Sequence, residues 1–286
     1  PLFLLNLFNQ QTTKQMKTKH LFLSALFSLC AVSLMAQIPT RFGNWQTKTI
    51  TGNIGAHGDH FSKMNLAFLE GRINDDNYER VDLGGLEAQD YVLNTTGANI
   101  NLGLMFTRIE NPKSISKYES VEIGVGLHFG REVMVDYVNN NPAAFCAQNG
   151  IDACYSNITF CDLQNEINLS ATYRRGVSFF NMMNIYTGLG TSIGTTMGSQ
   201  MWIFGTEYNP EAQYGGDYMS VSDRSYNLEE SVLGRVFIPV GGEIVLLDKL
   251  HLSAEGRLGV GYNHSFGEGG FGNVNYSVLA GIGWTL

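Results

Sequence analysis

Eight ionisable residues, Glu122, His128, Glu166, Arg174, Arg235, Glu243, Glu255 and Arg257, occupy segments in which every second residue is apolar or small. Residues two apart share one face of a β-strand, so these charges lie on the face opposite the apolar one. If the strands close on themselves with that face inward, the charges line a lumen, where they persist only if paired and hydrogen-bonded. Both signs are present, so the expected chemistry is a network of ion pairs filling the interior; the other chemistry open to the same set is a gated ion path. His57-Gly58-Asp59-His60 offers two imidazoles and a carboxylate, all common zinc ligands. Its spacing is weak and no second His or Cys cluster accompanies it, so the expectation is a polar loop with no metal. Gly-rich phosphate loops, nucleophile elbows and paired zinc motifs are absent, and no acid, base and nucleophile converge. The expectation is a protein that is not an enzyme and carries no cofactor.

The elements that must position these residues show as strict alternation. At the carboxyl end Val274, Tyr276, Val278, Ala280, Ile282, Trp284 and Leu286 alternate with Asn275, Ser277, Leu279, Gly281, Gly283 and Thr285. That length crosses a bilayer as a tilted strand. The pattern repeats from Leu250 to Tyr262, Val121 to Phe129, Ala98 to Phe106 and Ile167 to Tyr173. Further strands are read at Met183 to Ile193, Val232 to Leu246 and Lys48 to Ala56, which makes eight. Pro239 lies inside one of them and must sit at a bulge or an unpaired backbone position, because proline donates no hydrogen bond. Tyr276, Trp284, Phe106, Phe129, Tyr173 and Tyr262 fall near strand ends on the apolar face, as an interfacial girdle requires.

Long and short connections alternate along the chain. The long ones are read at Gly58 to Gly97, Arg131 to Asp162, Gly194 to Glu230 and Asn263 to Gly272; the short ones at Glu110 to Lys117, Arg175 to Asn181 and Leu247 to Lys249. Outer-membrane barrels place short turns in the periplasm and long loops outside. A hairpin hidden around Thr206 to Tyr226 would raise the count to ten.

With its terminal alternation ending in Trp284-Thr285-Leu286, its Ile238-Pro239-Val240-Gly241 stretch before a turn at Asp248-Lys249, and the strands Gly124-Val125-Gly126 and Gly188-Leu189-Gly190, the chain resembles the small OmpA/OmpX-type, porin-like outer-membrane β-barrels of Gram-negative bacteria, over roughly Thr47 to Leu286. The resemblance implies an all-β fold, an eight-stranded antiparallel transmembrane β-barrel with long extracellular loops and short periplasmic turns. It also implies outer-membrane lipid and the outer-membrane assembly machinery as partners, and an envelope or surface role through the loops. The lipid A deacylases and palmitoyl transferases of that membrane are barrels of the same size. The former need an outward His and Ser, whereas His251 and Ser253 fall inward and no strand shows an outward His; the latter need an apolar lumen. A narrow channel and a soluble periplasmic binding barrel with inverted polarity are the alternatives. Only 15% of the chain is charged, against ~25% in ordinary soluble domains, which favours the membrane.

At the amino end, Lys17, Lys19 and His20 precede an uncharged run from Leu21 to Ala36, the layout of a signal peptide cut after Ala36. The division is then residues 1–15 as an over-extended reading frame, 16–36 as signal peptide and 37–286 as one barrel domain. Cys30 lacks a lipoprotein box, since Leu29 precedes it. Without Lys14, Lys17 and Lys19 the mature chain has 15 basic and 26 acidic residues, about −11, which argues against nucleic acid as a partner. Among Cys146, Cys154 and Cys161 one disulfide is chemically permitted, with the pairing open. Phe61, Met64, Phe68 and Leu69 have helical spacing, which predicts a short amphipathic helix over Phe61 to Arg72 packed on the barrel rim. Trp202, Phe204, Tyr208, Tyr214 and Tyr218 read as an aromatic-rich third loop suited to recognition of an unknown extracellular ligand.

Overall fold

Lipid offers backbone amides no hydrogen-bonding partner, so a chain that spans it with strands must pair every strand on both sides. That is the arrangement in the computed structural model, which describes residues 45–286 apart from 61–65, 80, 82, 84, 111–114, 151–153, 181, 209–217, 221–223 and 266–268. The signal-peptide segment and the positions of Phe61, Met64 and Tyr214 lie outside the described residues. The wall consists of β1 (Gln46–His60), β3 (Thr96–Glu110), β4 (Ile115–Val138), β5 (Cys154–Phe179), β6 (Met183–Tyr208), β9 (Ser231–Leu246), β10 (Leu250–Ser265) and β11 (Gly269–Thr285). These eight pair antiparallel in the ring order β1-β3-β4-β5-β6-β9-β10-β11, and β11 closes back on β1. Three short strands, β2 (Glu87–Asn94), β7 (Tyr218–Ser220) and β8 (Arg224–Asn227), pair outside the ring on β4 and β6. Among the described residues the Thr206 to Tyr226 region adds no ninth and tenth strand to the ring; β7 and β8 continue the line of β9 along β6.

The outward face carries the apolar half of every alternation. Ile54, Ile123, Leu169, Leu189, Ile193, Ile238, Leu258 and Val278 are all more than half exposed, and Phe129, Tyr173, Tyr262, Tyr276 and Trp284 flank them. Phe106 shares this face but is buried. A belt this extensive exceeds the apolar patches that soluble monomers expose, and the polar half faces inward. A soluble binding barrel would have the reverse polarity. Pro239 lies in unbroken β9 opposite Arg257. The pairing of β9 with β6 skips Pro239 and Ile238, so the missing N–H falls in a gap of the ladder and no bulge is formed. The β9–β10 turn is tight, with Leu247 and Asp248 both left-handed (φ 52° and 58°), as the two central residues of a type I′ turn must be.

The long loops are the main departure from the sequence reading. Much of Arg131 to Asp162 and of Gly194 to Glu230 is strand. β4, β5 and β6 run on beyond the ends of β1, β10 and β11 and form, with β2, β7 and β8, a sheet above one side of the barrel. The level at which it begins is marked by two bulges flanking β5, where Gly130 and Gly198 supply the extra residue in left-handed conformation (φ 69° and 59°). Below the bulges the inner face is mainly polar and charged, with Met105, Phe237 and Leu279 interspersed; above them it is mainly apolar, with Val135, Tyr137, Ile158, Phe160, Met201, Ile203, Tyr226 and Leu228 in one buried cluster. Helix α1 (Leu66–Gly71) packs Leu69 into that cluster, and Ile73, Tyr78, Val81, Leu83 and Leu86 of the following coil cover it. The first loop thus folds onto the inner face of the sheet.

Helix α2 (Pro142–Asn149) tips the β4–β5 hairpin. Asn141 caps it by accepting from the Ala144 amide (3.2 Å), Pro142 opens its first turn, and Gly150 ends it at φ 63°.

Val278, 67% exposed in the middle of the β11 belt, provides the test of the lipid-facing assignment. In phospholipid vesicles, Val278→Arg is expected to destabilise the folded barrel by ~2–4 kcal/mol, as read by urea titration. On a water-facing surface the same change stays within about 0.5 kcal/mol.

Candidate functional site

The lumen residues form two clusters, one above the other. The lower one is centred on Arg174 of β5, whose guanidinium pairs with Glu122 of β4 and, through Nε, with Glu255 of β10 (2.7 Å). Arg257 Nε also reaches Glu255 (2.6 Å), and Thr51 Oγ1 donates to Glu122 (2.7 Å). Below it, Glu243 of β9 accepts from Tyr118 OH (3.1 Å) and Asn184 Nδ2 (3.0 Å), and His251 bridges Glu243 to Thr285 Oγ1 (2.7 Å). The Arg174 guanidinium lies over the Tyr186 ring at 5.1 Å and that of Arg257 over Phe237 at 4.8 Å, so the cations have aromatic faces as well as carboxylates. Glycine makes room for this packing: a Cβ on Gly103 would collide with Glu122 Oε1 and Thr51 Oγ1. A small polar cavity remains between Thr51, Glu122, Arg174, Glu243 and Glu255.

The upper cluster lies just below the bulges. Arg235 of β9 grips both oxygens of Glu166 (2.7 Å to Oε2) and approaches Asp59 of β1 at 3.4 Å, and Arg131 of β4 pairs with the same Asp59. The imidazoles of His57 and His128 stack with centroids 4.0 Å apart. His57 Nε2 is 3.5 Å from Asp59 and His128 Nδ1 is 3.5 Å from Glu166. Asn168 donates to Glu166 (3.1 Å) and contacts His128 Nε2 at 3.3 Å.

All eight residues singled out in the sequence, Glu122, His128, Glu166, Arg174, Arg235, Glu243, Glu255 and Arg257, point into the lumen. Seven are buried and Arg257 is partly so. The set they belong to is larger. His57 and Asp59 stand on a longer β1, not in the polar loop expected for His57-Gly58-Asp59-His60. Arg131 stands on β4, not in a loop. The same lengthening turns His60 and the partly exposed His264 outward at the rims of β1 and β10, correcting the expectation that no strand shows an outward His. The signal for Asp59 and His57 was available: they continue the inward parity of Thr49, Thr51 and Asn53.

A lid closes the upper end. Arg72, which follows α1 and is fully buried, forms an ion pair with Asp162 of β5. Gln164 also donates to that carboxylate, the Arg72 carbonyl accepts from the Glu229 amide (2.7 Å), and the Asn74 amide donates to the Asn227 carbonyl (2.9 Å). The lid is thereby tied to β5, to the end of β8 and to the segment that follows it. The Cys146–Cys154 disulfide joins α2 to the start of β5, and Cys161 is a buried thiol on the extracellular part of β5. Burial, with help from the Glu132 and Asp162 charges, pushes its pKa up to about 12, so it stays a thiol at neutral pH.

Removing Arg174 leaves Glu122 buried without a cation and Glu255 with Arg257 alone. Arg174→Met is therefore expected to cost about 3–5 kcal/mol in a urea titration of the vesicle-embedded barrel. Adding Glu122→Gln to Arg174→Met should recover part of that loss.

No protein-family model matches the chain and no curated protein matches it. Among solved structures it is similar to Ail, the attachment invasion locus protein of Yersinia pestis, crystallised with the heparin analogue sucrose octasulfate; the identity is 10%, the match covers 84% of this chain and 99% of that one, and the TM-score is 0.28. It is also similar to the translocator domain of the autotransporter NalP from Neisseria meningitidis, at 9% identity over 91% of this chain and 95% of that one, with a TM-score of 0.15. Its architecture rests instead on its own ring of strands, apolar belt and polar, charge-filled lumen: the chain is an eight-stranded antiparallel transmembrane β-barrel.

Proposed function

We propose that this is a non-enzymatic protein of the bacterial outer membrane, exported by its signal peptide, that meets its surroundings through the ordered extracellular sheet while the filled lumen serves as anchor. The observation that carries this reading is the apolar core above the bulges. A barrel that needed only an anchor could end in short loops, whereas here Phe160, Met201, Ile203 and Tyr226 are buried outside the membrane to hold a sheet in one shape. A rigid scaffold that presents loop residues suits recognition. The outward side of that sheet offers Trp202, half-buried, and Phe204, exposed, as anchors of the kind that dominate interfaces. The polar cavity in the lower lumen favours a second reading, a narrow channel.

Reconstitution in planar bilayers separates the two. On the anchor reading, the wild-type protein gives no single-channel steps, and the lid variants Arg72→Ala and Asp162→Ala give none either, because the two lumen clusters still fill the bore. Steps from wild-type protein would replace the anchor reading with the channel. Cells expressing the protein should bind their target surface, and substitution of Trp202 and Phe204 by Ser should abolish that binding while the barrel keeps its heat-dependent shift in gel mobility. Export is checked by mass: the membrane-embedded chain should begin at Gln37.

A further inference from the structure

The upper cluster holds more donor capacity than its ion pairs use. His57 is 4% exposed and His128 8%, yet His57 Nε2 and His128 Nδ1 make no hydrogen bond of acceptable geometry. A buried ring nitrogen held only by a long carboxylate contact has hydrogen-bonding capacity to spare, and a ligand can use it. Each is the ring nitrogen nearest a carboxylate, at 3.5 Å from Asp59 and from Glu166 respectively. One ligand atom from each of His57, His128 and Glu166 lies within 4.8 Å of the others. These donors come from three neighbouring regions of the wall: β1, β4 and β5.

We propose that His57, His128 and Glu166 form a transition-metal site in the upper lumen, taking Zn²⁺ or another borderline divalent cation. Two imidazoles and a carboxylate are a donor set such ions accept, and contraction of the cluster by small side-chain movements brings it to bonding distance. The outer support is in place as well. Asn168 sits at 3.3 Å from His128 Nε2 while it donates to Glu166 at 3.1 Å, so one side chain fixes both donors relative to each other. The wall behind is ordered, since His57, His128 and Glu166 are each paired with both neighbouring strands.

The site has a guard. Arg235 holds both oxygens of Glu166, and Arg131 holds Asp59. A divalent ion adds charge to a cluster whose carboxylates are already neutralised, so metal and Arg235 compete for Glu166, and the arginine sets the affinity. Three groups far apart in the sequence make up the site, which is why the His57-Gly58-Asp59-His60 motif alone did not reveal it: its second histidine, His60, points outward, and the partner imidazole comes from β4.

The test uses tag-free protein folded in detergent micelles, equilibrated with Co²⁺ and with Zn²⁺. Bound metal is counted after dialysis, and the Co²⁺ absorption spectrum reports the ligand field. The expected result is one ion per chain, an affinity at least ten-fold weaker in His57→Gln, His128→Asn and Glu166→Gln, no change in His60→Ala, and at least ten-fold tighter binding in Arg235→Gln. The heat-dependent mobility shift confirms that each variant is folded. Should the lumen variants lower stability, Arg235→Gln still decides, since only a site in this cluster, built on the carboxylates that Arg235 holds, gains from loss of that arginine. Metal retained in full by a His57→Gln/His128→Asn double variant, or no binding by either wild-type or Arg235→Gln protein, would overturn the proposal.

Discussion

Everything in this molecule follows from the need to leave no backbone amide unpaired in lipid. A ring of eight strands meets that need at small circumference, and its bore is too narrow for a column of water. The inner face must then be filled by side chains, and the chain fills it with charge. Pairing converts that liability into a fitted interior: Arg174 and Arg235 each reach carboxylates on two different strands, so each ties distant parts of the ring across the bore.

Charge in the lumen also fixes which way the strands face. In a strand of period two, a slip of one residue sends every side chain to the opposite face. With apolar residues on both faces the slipped register would be tolerated. Here it would carry Glu122, Glu166, Arg174 or Arg235 into hydrocarbon, at ~2–4 kcal/mol for each arginine near the midplane. The network therefore specifies register as much as it stabilises the barrel.

The same sensitivity to parity builds the extracellular sheet. Along β4 the odd-numbered residues are apolar from Val121 to Phe129 and again from Val133 to Tyr137, as if one amphipathic strand ran throughout. The extra residue at Gly130 rotates the upper half by one position, so Val121 to Phe129 face lipid and Val133, Val135 and Tyr137 face inward. Gly198 does the same for β6, where Ile185, Leu189 and Ile193 face out but Met201 and Ile203 face in. β5 lies between them without a left-handed residue at this level and makes the change in its sequence, from Ile167, Leu169 and Tyr173 outward to Ile158 and Phe160 inward. One inserted glycine on each flanking strand thus converts a membrane wall into a sheet with an aqueous exterior.

This also explains what could be read from the sequence and what could not. The eight wall strands and the inward charges are set by alternation within single segments, and local period is visible in a chain read alone. The upper sheet is not, because a bulge leaves the numerical alternation of β4 intact while reversing its meaning, and only the partner strand shows which residue is extra. The lumen positions of Asp59, which the sequence puts in a loop motif, and of Arg131 are hidden for a related reason. Apolar alternation fades at Ala56 and Phe129, but backbone pairing continues for as long as a neighbour is present: β1 runs on to His60 because β11 pairs with it as far as Val274. The Arg72–Asp162 latch and the stacking of His57 on His128 are set by contacts between residues 71 to 90 positions apart. Such long-range meetings depend on ring order and shear, quantities that belong to the closed sheet and to no segment of it.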